Sequence, residues 1–198
     1  MNDYENEKAR NLFSRLFVLA VDNKINLDAF TNLLEKSDFV RSIERNQYNT
    51  IYEKSLEELF FMITGFNIDV DNSYGIYNDA YWCGQSYFDL RLKLNKSFAY
   101  LFLKLPFSKM MDLYLIFHEM DFSSLREYFE NREKEKTILR LLCEKKKCSL
   151  NDISKETGIS LSTLKKYNSS DEYIYNSSFS NVVKIADYFN APYQLFLK

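Results

Sequence analysis

In the stretch "DVDNSYG", Asp69, Asp71 and Ser73 stand at alternate positions, the spacing with which a calcium-binding loop begins. Oxygen donors so placed converge on one cation only if glycine turns the chain at the sixth position and a bidentate glutamate closes the shell at the twelfth. Here Gly75 comes one position late and the twelfth position is Ala80, so the stretch reads as a loop without metal. His118 is the only histidine, so no histidine ligand set or relay can be assembled, and "FHEM" lacks the second histidine of a zinc-protease helix. It reads as a packed or hydrogen-bonded helical side chain. The cysteines Cys83, Cys143 and Cys148 are odd in number and lack a CxxC pair, which fits reduced thiols and not a zinc site. Cys83, beside Trp82, reads as a buried thiol and not a nucleophile. No glycine-rich phosphate loop or GxSxG elbow is present. The expectation is a protein that is not an enzyme, with no catalytic residues, metal or cofactor.

Groups suited to meeting a polyanion are concentrated in the last third. Residues 132–198 carry 12 Lys and Arg against 8 Asp and Glu, whereas residues 1–131 carry 14 against 20. A basic segment on an acidic body suits a nucleic-acid module joined to a second domain. Within it, "SLNDISKETGISLSTLKKY" reads as two short helices around a glycine. Ser149 opens the first, with Asp152 completing a capping box, and Ile153 faces inward. Gly158 takes the turn, where a residue without Cβ adopts positive φ at no steric cost. Ile159 fills the space between the helices, Ser160 N-caps the next one, and Leu164 points inward.

Upstream, "EKEKTILRLLCEKKK" gathers Ile138, Leu139, Leu141 and Leu142 on one side of a helix. Downstream, Phe179, Val182, Val183, Ala186 and Phe189 are expected to form an inward helical face, with Leu195 and Phe196 closing the bundle from a last short turn. The segment predicts a compact bundle of five short helices.

"LLCEKKKCSLNDISKETGISLSTLKKY" followed by "VVKIADYFNAPYQLF" resembles the helix-turn-helix domain of the Xre/Cro phage-repressor family over roughly residues 133–198. The resemblance implies a third helix lying in the major groove of double-stranded DNA. It places Leu161, Ser162, Lys165 and Lys166 on the groove face with Thr163 beside them. It brings Ser149, Asn151 and Ser160 to phosphates through hydroxyl, amide and backbone N–H groups. Lys147 and Lys155 would add charge toward the backbone. The chain departs from the family pattern at Leu150, where Gln is usual, and at Leu161, where a polar residue is common. It departs again at Ser154, where a small Ala is usual. The loop after the third helix is longer and carries Asp171 and Glu172, which would repel phosphate.

The remaining sequence, residues 1–131, is expected to form a helical domain that dimerises or binds a partner. Helical segments are read in "ENEKARNLFSRLFVLAVD", "NLDAFTNLLEKS", "DFVRSIER", "NTIYEKSLEELFFMITG", "AYWCGQSYFDLRLKLN", "SFAYLFLKL", "SKMMDLYLIFHEM" and "SSLREYFENREKEK". The last is expected to run straight into the first helix of the C-terminal bundle. The block holding Tyr81, Trp82, Gly84, Pro106, Tyr114, His118 and Asp121 resembles a helical domain found beside repressor-type domains in proteins of Gram-positive mobile elements.

Only 4 Gly and 2 Pro among 198 residues favour long helical content, and 17 Phe with 15 Tyr supply large buried area. The expected fold is all-α, a helical domain over 1–131 followed by a helix-turn-helix bundle over 132–198. No stretch approaches the roughly 20 apolar residues of a membrane span. The acidic start "MNDYENEKAR" does not read as a signal peptide, so a cytoplasmic location is expected. The function expected is DNA-binding transcriptional regulation in a bacterial or phage mobile element, by a homodimer on paired half-sites. The alternative is a protein-binding inhibitor, an antitoxin or anti-defence protein, that regulates its own promoter through the same domain.

Overall fold

The computed structural model describes residues 3–47, 53–68 and 78–197. The calcium-like spacing at Asp69, Asp71 and Ser73 lies outside the described residues, as do the first four residues of "NTIYEKSLEELFFMITG". Among the described residues there are thirteen α-helices, one 3₁₀ turn and no strand. The chain divides into two compact units, Met1–Arg126 and Glu127–Lys198.

The first unit holds α1 (Asp3–Asp22), α2 (Leu27–Leu34), α3 (Asp38–Glu44), α4 (Leu56–Thr64), α5 (Asn78–Leu94), α6 (Phe98–Lys104) and α7 (Phe107–Phe117). Helix α8 (Phe122–Glu133) contains the boundary between the units. Short polar residues start most of the helices. Asn26, Ser37, Ser55 and Ser97 each accept a hydrogen bond from the backbone N–H three residues on. The capping box of Ser55 and Glu58 starts α4 at Leu56, later than the sequence pattern implied.

Other helices also supply acceptors for helix starts, with or without a local cap. Pro106 precedes α7 and has no side-chain oxygen to offer. Asp28 of α2 instead accepts from the Ser108 N–H at 3.0 Å and its hydroxyl at 2.8 Å. Glu44 of α3 accepts the Phe98 N–H at 2.8 Å, at the start of α6. Burial raises the pKa of Glu44, while this hydrogen bond and Arg91 pull it back down.

The core of the unit is aromatic. Phe13, Phe17, Phe30, Tyr87, Phe88, Phe98 and Phe107 are all fully buried. Phe13 meets Phe98 at a centroid distance of 4.5 Å, and Phe17 meets Phe107 at 4.7 Å. The Tyr87 hydroxyl, inside this cluster, donates to the Leu105 carbonyl at 2.6 Å. Helices α1 and α5 form the most extensive pair, tied by Arg10 and Asp89 at 2.6 Å. Cys83 is buried, and desolvation pushes its thiol far above the ordinary range, which suits packing and not nucleophilic attack. His118 follows α7, where its Nδ1–H donates to the Tyr114 carbonyl at 2.7 Å and its ring stacks on Tyr114.

The second unit holds α9 (Ile138–Lys146), α10 (Leu150–Thr157), α11 (Leu161–Ser169), α12 (Asp171–Tyr175), α13 (Phe179–Phe189) and the 3₁₀ turn Tyr193–Phe196. Two expectations are corrected here. The chain does not run as one helix from α8 into α9: α8 ends at Glu133 and Thr137 N-caps α9 by accepting from the Arg140 N–H. Phe179 does not face inward but is 62% exposed, edge-on to Tyr193. Ser178 caps α13, so Phe179 opens the first turn, and the buried stripe comprises Val182, Ile185 and Ala186. Val183 and Phe189 are half-buried.

The closeness of α1 and α5 depends on Gly84, where an added Cβ would lie 2.5 Å from the Ser14 Cα. In an uncrowded helix, Gly to Ala gains up to about 1 kcal/mol. Overpacking against backbone has the opposite sign and typically costs about 1–3 kcal/mol. Gly84→Ala should therefore lower the stability of the chain in denaturant titration. A gain in stability would mean that the two helices are not held at this separation.

Candidate nucleic-acid interface

The interface is built on three helices and two serines. Ile138, Leu139 and Leu142 of α9, Ile153 of α10 and Leu164 and Tyr167 of α11 are buried, which fixes the rotation of each helix about its axis. Ile159 is buried in the connection between α10 and α11. Gly158 ends α10 at φ +70°, its N–H donating to the Ser154 carbonyl at 3.0 Å. The Ser154 hydroxyl donates to the Ile159 carbonyl at 2.7 Å, so the serine standing where Ala is usual closes the turn. Thr157 donates to the Ile153 carbonyl at 2.6 Å and accepts from the Ile159 N–H.

This rotation leaves Ser162, Lys165 and Lys166 exposed on α11, with Ser149, Asn151 and Lys155 exposed at α10. Leu161 and Thr163 are only half-buried, so part of each belongs to the packing between helices. Ser160 caps α11 by accepting from the Thr163 N–H at 3.2 Å. Its hydroxyl also shares hydrogen bonds with those of Ser162 at 2.9 Å and Thr163 at 2.8 Å. The start of α11 is thus a cluster of neutral hydroxyls, with no acidic residue in its first turn.

The start of α10 differs. The Ser149 donors expected to meet phosphate are already engaged: Asp152 Oδ2 accepts from the Ser149 N–H at 2.8 Å and from its hydroxyl at 2.7 Å. Those two hydrogen bonds, the hydroxyl's foremost, hold the Asp152 carboxyl below its ordinary pKa. The sequence displayed the capping box; that it places a carboxylate among the proposed phosphate donors emerges only from the atomic positions.

Asp171 also has a role that sequence reading missed. Its Oδ1 accepts the Ile138 N–H at 2.6 Å, so the carboxylate satisfies an amide at the start of α9. Glu172 is exposed. In the lysine run, Lys146 donates to the Tyr188 carbonyl and lies over the Tyr188 ring, tying α9 to α13. Lys147 takes φ +54° as α9 ends, beside the entry to α10. Burial, followed by neighbouring Cys148, pushes the Cys143 thiol up to about 12, so it stays protonated at neutral pH. No group of three or more His, Cys, Asp and Glu side chains placed to hold a metal occurs among the described residues.

Residues 131–167 match the winged helix-turn-helix DNA-binding family. The match covers α9, α10 and α11 up to Tyr167, the same three helices that carry the exposed serines and lysines. No curated protein and no solved structure matches the chain. The described residues beyond the matched segment form helices and no strand, so the likeness is to the three-helix core and does not extend to a β wing.

The Asp171 contact is testable apart from DNA. A hydrogen bond to a charged acceptor is worth about 2 kcal/mol. Asp171→Ala should destabilise the C-terminal unit by that order and speed exchange of the Ile138 amide. Unchanged exchange would mean that Thr137 alone is enough to hold the start of α9.

Proposed function

We propose that the chain is a transcriptional regulator of the Xre/Cro type that reads double-stranded DNA with α11. The observation that carries this reading is the pairing of Gly158 and buried Leu164, which turns Ser162, Lys165 and Lys166 outward together. The helix-turn-helix match over 131–167 supports DNA as the ligand. The helical continuation through α12, α13 and the 3₁₀ turn favours the phage-repressor arrangement over a winged one. Lys165 and Lys166 neutralise phosphate or reach guanine, and Asn151, Ser160, Ser162 and Thr163 supply hydrogen bonds to backbone and bases. One recognition helix covers a single half-site, so two copies act together on a pseudo-palindrome. A compartment where DNA is accessible, the cytoplasm of a bacterium bearing the mobile element, suits this role. No described helix is long and apolar enough to cross a membrane.

One observation favours a second reading. Leu115, Ile116 and Met120 in the N-terminal unit are exposed, at 82%, 59% and 50%. Apolar exposure of that kind fits a unit that binds a protein, as in an antitoxin or anti-defence inhibitor whose DNA-binding domain serves autoregulation.

The double substitution Lys165→Ala with Lys166→Ala should leave folding nearly intact, since exposed changes shift stability by about 0.5 kcal/mol or less. Affinity for duplexes selected by the parent protein should fall, and the slope of log K against log salt should become shallower by roughly two if both lysines meet phosphate. A loss of about 1–3 kcal/mol that depends on sequence would instead identify a base contact. Unchanged affinity would mean that α11 is not the reader. A parent protein that binds no DNA would put the inhibitor reading first.

A further inference from the structure

We infer that Asp152 is a negative determinant of DNA affinity, a fixed carboxylate that weakens the hold of phosphate on the start of α10 and leaves α11 as the main anchor. The inference rests on the proposed DNA reading and deepens it. The amides at a helix start favour an anion, and in a helix-turn-helix the start of the second helix lies beside the DNA backbone. In this chain that favourable field is already occupied. Asp152 Oδ2 takes both the Ser149 N–H and the Ser149 hydroxyl, at 2.8 and 2.7 Å. Asp152 is exposed, so its charge faces whatever approaches. The same two hydrogen bonds lower its pKa.

The helix that follows shows the contrast. No acid lies in the first turn of α11, and its capping serine is joined only to neutral hydroxyls and an amide. Of two neighbouring helix starts, one therefore carries a carboxylate in its first turn and the other does not. Nearby Lys155 partly offsets the charge, which lowers the Asp152 pKa further but engages none of the oxygens that hold Ser149. Because repulsion of the backbone acts on every sequence alike, Asp152 lowers non-specific binding as much as specific binding. The base contacts of α11 then decide where the protein stays.

The test uses the full chain and two mixed-sequence duplexes long enough for two half-sites, one of them without G·C pairs. Asp152→Asn keeps an oxygen to accept from Ser149 while removing the charge. Asp152→Gln, the neutral residue natural to a capping box, serves if the Asn variant melts early, and Asp152→Glu keeps both box and charge. The neutral variants should bind both duplexes at least about tenfold more tightly. Their log K against log salt should steepen by up to about one. The Glu variant should bind like the parent. A purely structural cap would leave affinity unchanged or lower in the neutral variants, which overturns the inference. Weakening confined to the duplex with G·C pairs would overturn it too, because Asp152 would then be accepting a hydrogen bond from cytosine. If the parent binds and the neutral variants gain nothing, this inference alone fails. If neither parent nor variants bind any duplex, the DNA reading fails and takes the inference with it.

Discussion

The turn at Gly158 is the constraint on which the C-terminal unit depends. A left-handed residue between α10 and α11 sets the direction in which α11 leaves, and the hydroxyls of Ser154 and Thr157 bind the carbonyls and amide of that turn. With the direction set, burial of Leu164 and Tyr167 sets the rotation, and rotation decides which side chains of α11 meet solvent. The exposure of Ser162, Lys165 and Lys166 is thus a consequence of packing on the opposite face. A residue with Cβ at position 158 would find open space but would have to hold a positive φ, at a cost of about 1–2 kcal/mol.

Much of this was legible because the signals are local. Ser149 with Asp152, Ser160 before α11 and Gly158 between them act within three or four residues, the range over which capping and turn chemistry operate. The all-helical class followed from few breakers and repeated helical periodicity. The misplaced features depend on distant partners. The break before α9 is stabilised by Asp171, 33 residues from Ile138. Phe179 and Ile185 are both apolar on the same helix, and only the position of the Ser178 cap and the packing beneath α13 decide which is buried. The engagement of Ser149 was hidden for another reason. A capping box is recognised from residue types, whereas its effect on a ligand depends on where one carboxylate oxygen points.

Several acids of this chain are occupied with helix starts. Asp28, Glu44, Glu58, Asp152 and Asp171 each accept a hydrogen bond from a backbone amide near the beginning of a helix. This favours many short helices in a sequence with few glycines and prolines, because terminal amides that lack a partner within the helix find one here. It also means that acidic composition says little by itself about what the surface repels. Asp171 is turned to structural use, whereas Asp152 performs the same capping chemistry at a place where its charge also faces outward.

The claim that the C-terminal unit reads DNA is tested most directly by sequencing the duplexes that the immobilised full chain retains from a random pool. The account predicts enrichment of a pseudo-palindromic sequence whose half-sites lie about one helical turn apart. A retained pool with the same composition as the input, at low and moderate salt alike, would contradict it.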